Sequence, residues 1–333
     1  MKHLVLISLL FLLSGFYSCN SKGGRSPSFS KATGISYEVI VVMDKIFWDS
    51  EAGAAVREEL TSPVPYLLQP ESSMSYTYIR PDQFKGLLKY VRNLLFVSID
   101  PSRYTKVSLL REDNKYSLGQ VVLYLNAPDA QSLETYLSEH PRIVVNLYNK
   151  EELKRIASGL REVFSTTVME KVKEKYDIEL YAPSEIKSSR VTEEGLWFSN
   201  AAAVGRMDLL VYSFPYRDTN TFTLDYLVAK RDSFTRYMVP GGHPGSYMTT
   251  EKRVVDYESF TLNGKYCGVL RGLWRMEGDM MGGPFVSFAR VDEPNKRVIV
   301  TEGFVYEPNK DKRNYIRRIE AALFTTRFPD EQK

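Results

Sequence analysis

A chain of 333 residues with 43% hydrophobic and 26% charged side chains is long enough for one large or two modest folded units, outside the disordered and membrane-embedded classes. Its 44 basic and 41 acidic residues leave +3, with no run of Lys and Arg to concentrate it, which excludes the phosphate-binding face of a nucleic-acid protein. Two cysteines, Cys19 and Cys267, are too few for a disulfide framework.

Residues 1–18 run from Lys2 through an apolar stretch, Leu4 to about Leu13, into small and turn-forming residues ahead of Cys19. That is a signal-peptide layout, and the apolar run is too short for a spanning helix of about 20 residues. Ser18-Cys19 resembles the cleavage site of a bacterial lipoprotein signal, in the looser form that tolerates Phe16 and Tyr17. Cleavage before Cys19 and acylation of its thiol are the expectation. Residues 19–34, rich in Gly and Ser, read as a flexible tether with a reach of roughly 20 Å. Surface-exported lipoproteins of the Bacteroidetes resemble one another in carrying acids just after the cysteine. None occurs here before Glu38, so the periplasmic face of the outer membrane is favoured.

The first folded element is a buried strand, Tyr37 to Met43, rich in β-branched residues. Asp49 and Ser50 can cap a helix that Thr61-Ser62-Pro63 ends. Phe84, Leu87, Leu88 and Val91 fall at helical spacing, followed by the strand-like L-L-F-V-S-I-D and by strands at Thr105 to Leu110 and Gln120 to Asn126. Pro128-Asp129 opens a helix carrying Leu133, Tyr136 and Leu137. Asn149, with Glu152 at capping-box spacing, opens a longer one reaching about Tyr176, with Leu153, Ile156, Leu160, Val163, Phe164, Val168 and Val172 as its core-facing stripe.

Strands follow at Gly195 and Met207, then a helix from about Thr221 to Met238. Asn263-Gly264 signals a tight hairpin, and Glu293-Pro294-Asn295 a turn between Phe285 to Val291 and Arg297 to Tyr306. Lys310 to Arg313 reads as the solvated start of a closing helix with Tyr315, Ile319, Ala322 and Leu323. Hairpins with helices between groups of strands define an α+β fold of antiparallel sheets and packed amphipathic helices, not a doubly wound parallel sheet. The boundaries expected are a signal peptide at 1–18, the lipidated tether at 19–34, an N-terminal α+β region at 35–182 and a C-terminal one at 183–333, continuous or separate.

No dinucleotide or P-loop fingerprint occurs, so no cofactor is implied. Beyond the signal only His140 and His243 remain as histidines, too few for a three-histidine metal site, and His140 before Pro141 reads as a helix-end residue. Cys267, in K-Y-C-G-V-L, reads as a buried inert thiol. Two glycine-rich segments stand out as candidate binding loops. Val239 to Met248 presents His243, Ser246 and Tyr247, with glycine amides free for an anion. Arg271 to Phe285 combines an aromatic platform, Trp274, with Arg275, Glu277 and Asp279, and its Gly278, Gly282, Gly283 and Pro284 interrupt the strand with a mobile loop. Because each adjoins the hairpin turning at Asn263-Gly264, they are expected side by side at its opposite end, with His243, Tyr247, Trp274 and Glu277 on one concave surface.

The lipoprotein start, G-G-H-P-G-S-Y and W-R-M-E-G-D-M-M-G-G-P-F together resemble an uncharacterised Bacteroidetes lipoprotein family, domain of unknown function 4837, over nearly the whole mature chain. The resemblance implies localisation and brings no catalytic residue. The expectation is therefore a lipid-anchored binding or envelope-maintenance protein with an envelope protein or glycan as partner. The alternative is a hydrolase of an envelope polymer using His243 and Ser246.

Overall fold

The computed structural model describes residues 30–331. Cys19, the signal segment and most of the tether lie outside the described residues. The fold is α+β, built on one five-stranded and one seven-stranded sheet.

The first unit runs β1 (Glu38–Val42), α1 (Lys45–Trp48), α2 (Glu51–Thr61), β2 (Ser75–Ile79), β3 (Asn93–Ile99), β4 (Ser108–Asp113), β5 (Val121–Ala127), α3 (Ala130–Glu139) and α4 (Ile143–Glu162). Its sheet has the order β2-β1-β3-β5-β4. Only β4 is antiparallel, so this sheet is mixed rather than antiparallel. One face packs through Val39, Val41, Leu95 and Leu123 on the helices. The other packs through Ile40, Val42, Leu94 and Val122 on Phe84, Leu88 and Val91. Those three lie in and beside short 3-10 turns, not an α-helix; Gly86 takes φ 62, which α-helix excludes, and Leu87 is exposed.

The second unit runs α5 (Thr166–Tyr176), β6 (Ser188–Val191), β7 (Gly195–Ser199), β8 (Arg206–Pro215), α6 (Leu224–Met238), β9 (Tyr247–Leu262), β10 (Lys265–Glu277), β11 (Gly282–Asp292), β12 (Arg297–Tyr306) and α7 (Arg313–Leu323). Its sheet is antiparallel throughout, ordered β6-β7-β8-β12-β11-β10-β9. Helices α5 and α7 cover one face, α6 the other. With both faces dry, β8, β11 and β12 are buried in unbroken runs instead of alternating. Gly303 lets α7 settle onto β12, since a Cβ there would collide with Ile319. The hairpin turn falls at Asn263 (φ 50) and Gly264 (φ 81), the positive angles that a two-residue turn requires.

The helix expected from Asn149 to Tyr176 is two helices. Helix α4 starts earlier because the Glu59 carboxylate of α2 accepts the N–H groups of Arg142 (2.7 Å), Val144 (2.8 Å) and Val145 (3.1 Å). Asn149 and Glu152 therefore lie inside α4 and form no capping box; Glu152 is fully buried, accepting from Arg92 (3.1 Å), Asn93 (2.9 Å) and Arg155 (2.7 Å). The chain then breaks at exposed Val163, and the Ser165 hydroxyl accepts from the Val168 N–H (3.3 Å) to start α5. Helix α4 belongs to the first unit and α5 to the second.

The units meet along α4 and α7, where Leu153, Ala157 and Leu160 pack on Ala321 and Ala322. The start of α7 is not solvated as the charge run suggested. Lys312 is buried, and Glu71 from the first unit accepts the N–H groups of Lys312 and Arg313. No described helix is long and apolar enough to cross a membrane.

Candidate functional site

The two glycine-rich segments do lie side by side. Tyr247 and Met248 at the start of β9 pair with Glu277 and Met276 at the end of β10, and the Gly242 N–H donates to Asp279 Oδ2 at 3.2 Å. Their side chains, however, do not converge. Ser246 Oγ donates to the His243 carbonyl (2.6 Å) and accepts the His243 N–H (3.1 Å), so its partner is that residue's backbone and not its imidazole. Tyr247 lies under the Arg236 guanidinium, 4.4 Å from its ring centroid.

Arg275 bonds Glu277 at 2.7 Å on the exposed side of β10. Trp274 is no platform: it is 2% exposed, with its Nε1 donating to the Val305 carbonyl at 3.2 Å, because α6 covers that face of the sheet. Gly282, Gly283 and Pro284 extend β11, so the expected mobile loop shrinks to a hairpin tip carrying fully exposed Met280. His140 ends α3 on the surface, its Nδ1 2.9 Å from the Tyr136 carbonyl. Cys267 is buried, which pushes its thiol up to about 12.

A different place has the attributes of a site. Helix α7 lies over β8, β12 and β11 at the centre of the second sheet, and beyond its edge α4 faces β9. Between them lies a cleft of about 750 Å³. Val64, Pro65, Leu153, Ala157, Phe260 and Phe324 supply apolar walls. Tyr66, held at φ 60, closes one side by donating its hydroxyl to Asp256 Oδ2 at 3.1 Å.

Six cations line the cleft, Arg142, Lys150, Lys154, Arg161, Arg271 and Arg317, against three acids, Asp256, Glu258 and Glu320. The acids are engaged: Glu258 and Glu320 pair with Arg271, Glu320 also faces Arg317 at 3.6 Å, and Asp256 holds Tyr66. Lys154 lies 3.6 Å from Glu151. Among the described residues, Arg142, Lys150 and Arg161 have no carboxylate within ion-pair distance of their side chains. The Arg142 guanidinium is fixed by neutral oxygens, Ser62 Oγ (3.0 Å), the Pro63 carbonyl (2.7 Å) and Ser73 Oγ (3.0 Å). Burial lowers its pKa, and the like charge of Arg317 lowers it further. Burial also lowers that of Arg161, beside Arg327.

Asn149 lines the same cleft at 5% exposure, and its Oδ1 is buried with no hydrogen-bond partner. An amide oxygen buried without a partner costs about 1–3 kcal/mol, so in a cleft it marks a place for a donor. The arrangement suits holding an anion.

The sequence reading missed these residues. The pattern of the helix put Asn149 at its start and singled out none of Lys150, Lys154 and Arg161. The one available signal was that the cations share a helical face with Leu153 and Ala157.

The fold defines a two-unit α+β protein with a cleft between its units. Residues 165–325 match the family described as "Domain of unknown function (DUF4837)", and residues 32–161 match "Domain of unknown function (DUF8532)". The second unit is thus a DUF4837 domain, with a DUF8532 domain ahead of it. The expected family thus spans the C-terminal part of the chain, not nearly all of its mature length. The two matches meet at the break between α4 and α5. No protein of curated function matches the chain in sequence. A crystal structure from Bacteroides thetaiotaomicron is similar at 11% identity and a TM-score of 0.19, over 47% of this chain and 46% of that one. This chain thus spans about half of its length, and so slight a likeness carries no inference.

Proposed function

We propose that this protein is a binding module of the cell envelope, held by lipid on Cys19 at the periplasmic face of the outer membrane, and that its ligand is an anion seated in the cleft between α4 and β9. The observation that carries the ligand half is the pairing of unneutralised cations with the buried, partnerless Asn149 Oδ1 beside apolar walls. Fixed charges and an unmet acceptor are costs to the empty protein that a ligand with acidic and donor groups offsets. The anchor half rests on the sequence before and after Cys19. A tether reach of roughly 20 Å keeps the folded part close to the membrane surface.

Two experiments test the halves separately. A photo-crosslinking residue at Lys154, inside the cleft, should capture a discrete envelope component that the same residue at Met280 does not. Identical adducts from both positions, or none from Lys154, sink the cleft reading. Acyl chains contribute about 0.8 kcal/mol per buried CH₂, so Cys19→Ser should move the protein from the membrane to the soluble periplasmic fraction. Continued membrane fractionation of the processed variant removes the anchor.

A further inference from the structure

Resting on the cleft being the ligand site, we infer that its occupant is an extended acidic peptide segment of an envelope protein, added as a strand to the open edge of β9. Strand β9 is the last of its sheet and, beyond a bridge from Pro240 to Tyr247 at its start, pairs with β10 alone. In a hairpin closing on Leu262 and Lys265, alternate residues Tyr257, Ser259 and Thr261 turn their N–H and C=O groups away from β10. The Tyr257 N–H shows this directly, since its acceptor is the adjacent Asp256 side chain at 2.8 Å. Neighbouring residues of a strand point to opposite faces, yet Asp256, Tyr257, Glu258, Phe260, Thr261 and Leu262 all line the cleft. The cleft therefore runs along the free edge of the strand as well as over its face.

The opposite wall fixes the chemistry. Lys150, Lys154 and Arg161 are strung along α4 over roughly 16 Å at 1.5 Å per residue. From Asp256 to Leu262 the strand covers roughly 20 Å. A single-headed amphiphile places its charge at one end and leaves most of that row unanswered. An extended chain lying between the walls answers it along its length. Its main chain bonds to β9, and every second side chain enters the cleft, an acid against the α4 cations or an apolar group against Leu153, Ala157, Phe260 and Phe324.

The test is titration by fluorescence anisotropy of the full chain with a labelled peptide of about eight residues, threonines alternating with glutamates and leucines. Dodecyl phosphate and polygalacturonate serve as a lipid-like and a glycan anion. The expected result is that the peptide binds and that Lys150→Glu/Lys154→Glu/Arg161→Glu weakens it by about tenfold or more. N-methylation of the alternate amides on the peptide's β9-facing edge should abolish binding, while methylating the other set does not. Peptide binding indifferent to which amides are methylated overturns strand addition. If dodecyl phosphate or polygalacturonate binds in a charge-dependent way and the peptide does not, the peptide is wrong while the cleft remains an anion site. If no probe binds and crosslinking from Lys154 is also empty, both readings fall.

Discussion

The carboxylate of Glu71 in the first unit accepts the backbone N–H groups of Lys312 (2.7 Å) and Arg313 (2.8 Å), and so caps helix α7 of the second. Helix starts leave amides without partners, and here a residue some 240 positions away supplies the acceptor. The same segment adds the Arg313 guanidinium on the Ser72 carbonyl at 2.6 Å and Lys312 Nζ on Gln69 at 2.6 Å. Glu71→Ala should therefore cost about 2 kcal/mol, the upper range for a lost cap, and Glu71→Gln less, because one acceptor oxygen remains. Urea denaturation decides it: an unchanged midpoint for the alanine variant means this contact does not couple the units.

Trp274 and Arg275 are neighbours on β10 with opposite fates. Trp274→Ala removes a buried ring packed on Phe304 and should cost about 3–5 kcal/mol. Arg275→Ala breaks a half-exposed ion pair with Glu277, worth less than about 1 kcal/mol. Neither residue lines the cleft, so neither change should alter ligand capture from Lys154 in protein that remains folded. A Trp274→Ala variant of unchanged stability that loses capture would restore the aromatic platform suggested by sequence.

These outcomes show what kind of information a sequence carries. The Asn263-Gly264 hairpin was legible because turn chemistry is local, and so were β8, β11 and β12, whose apolar runs need no partner to be recognised. The break between α4 and α5 was not, because Val163 and Phe164 continue the helical stripe without a glycine or proline, while the Glu59 carboxylate that caps α4 comes from α2. Trp274 looked like a platform because its flanking charges suggest exposure. In a sheet covered on both faces they do not, since Leu273 and Trp274 pack into opposite layers. The cleft was least legible of all, for it exists only where α4 and β9, about a hundred residues apart, face each other.

Glu320 offers a pH test of the cleft floor. Burial alone would raise the pKa of its carboxyl, but Arg271 and Arg317 outweigh burial and hold it below the usual 4.5. With the folded value the lower one, the unfolded chain takes up the proton first as the pH falls. The stabilisation is thus complete above the ordinary glutamate value and is lost below it. The stability difference between the native protein and Glu320→Gln should be constant from neutrality to about pH 5 and shrink at lower pH. Glu302 and Asp208, whose pKa values burial raises, have the opposite pH dependence and cancel in that difference. A gap that stays constant through pH 4.5 would mean that the ion pairs do not set this titration.

The position of α5 predicts where the second unit can be separated from the first. Val168, Val172 and Tyr176 are buried against the seven-stranded sheet, the Tyr176 hydroxyl donates to the Val211 carbonyl at 3.3 Å, and Arg297 donates to the Tyr176 carbonyl at 3.1 Å. A boundary near residue 183, suggested by the sequence, would strip all of these contacts and uncover Leu196, Phe198 and Val211. Burying three such side chains is worth roughly 5 kcal/mol or more, comparable to the whole stability of many domains. A fragment of residues 164–333 should therefore show one cooperative urea transition. The fragment 183–333 should lack it and bind a hydrophobic dye such as ANS, as expanded states do. Equal midpoints for the two fragments would show that α5 is dispensable and that the second unit begins after it.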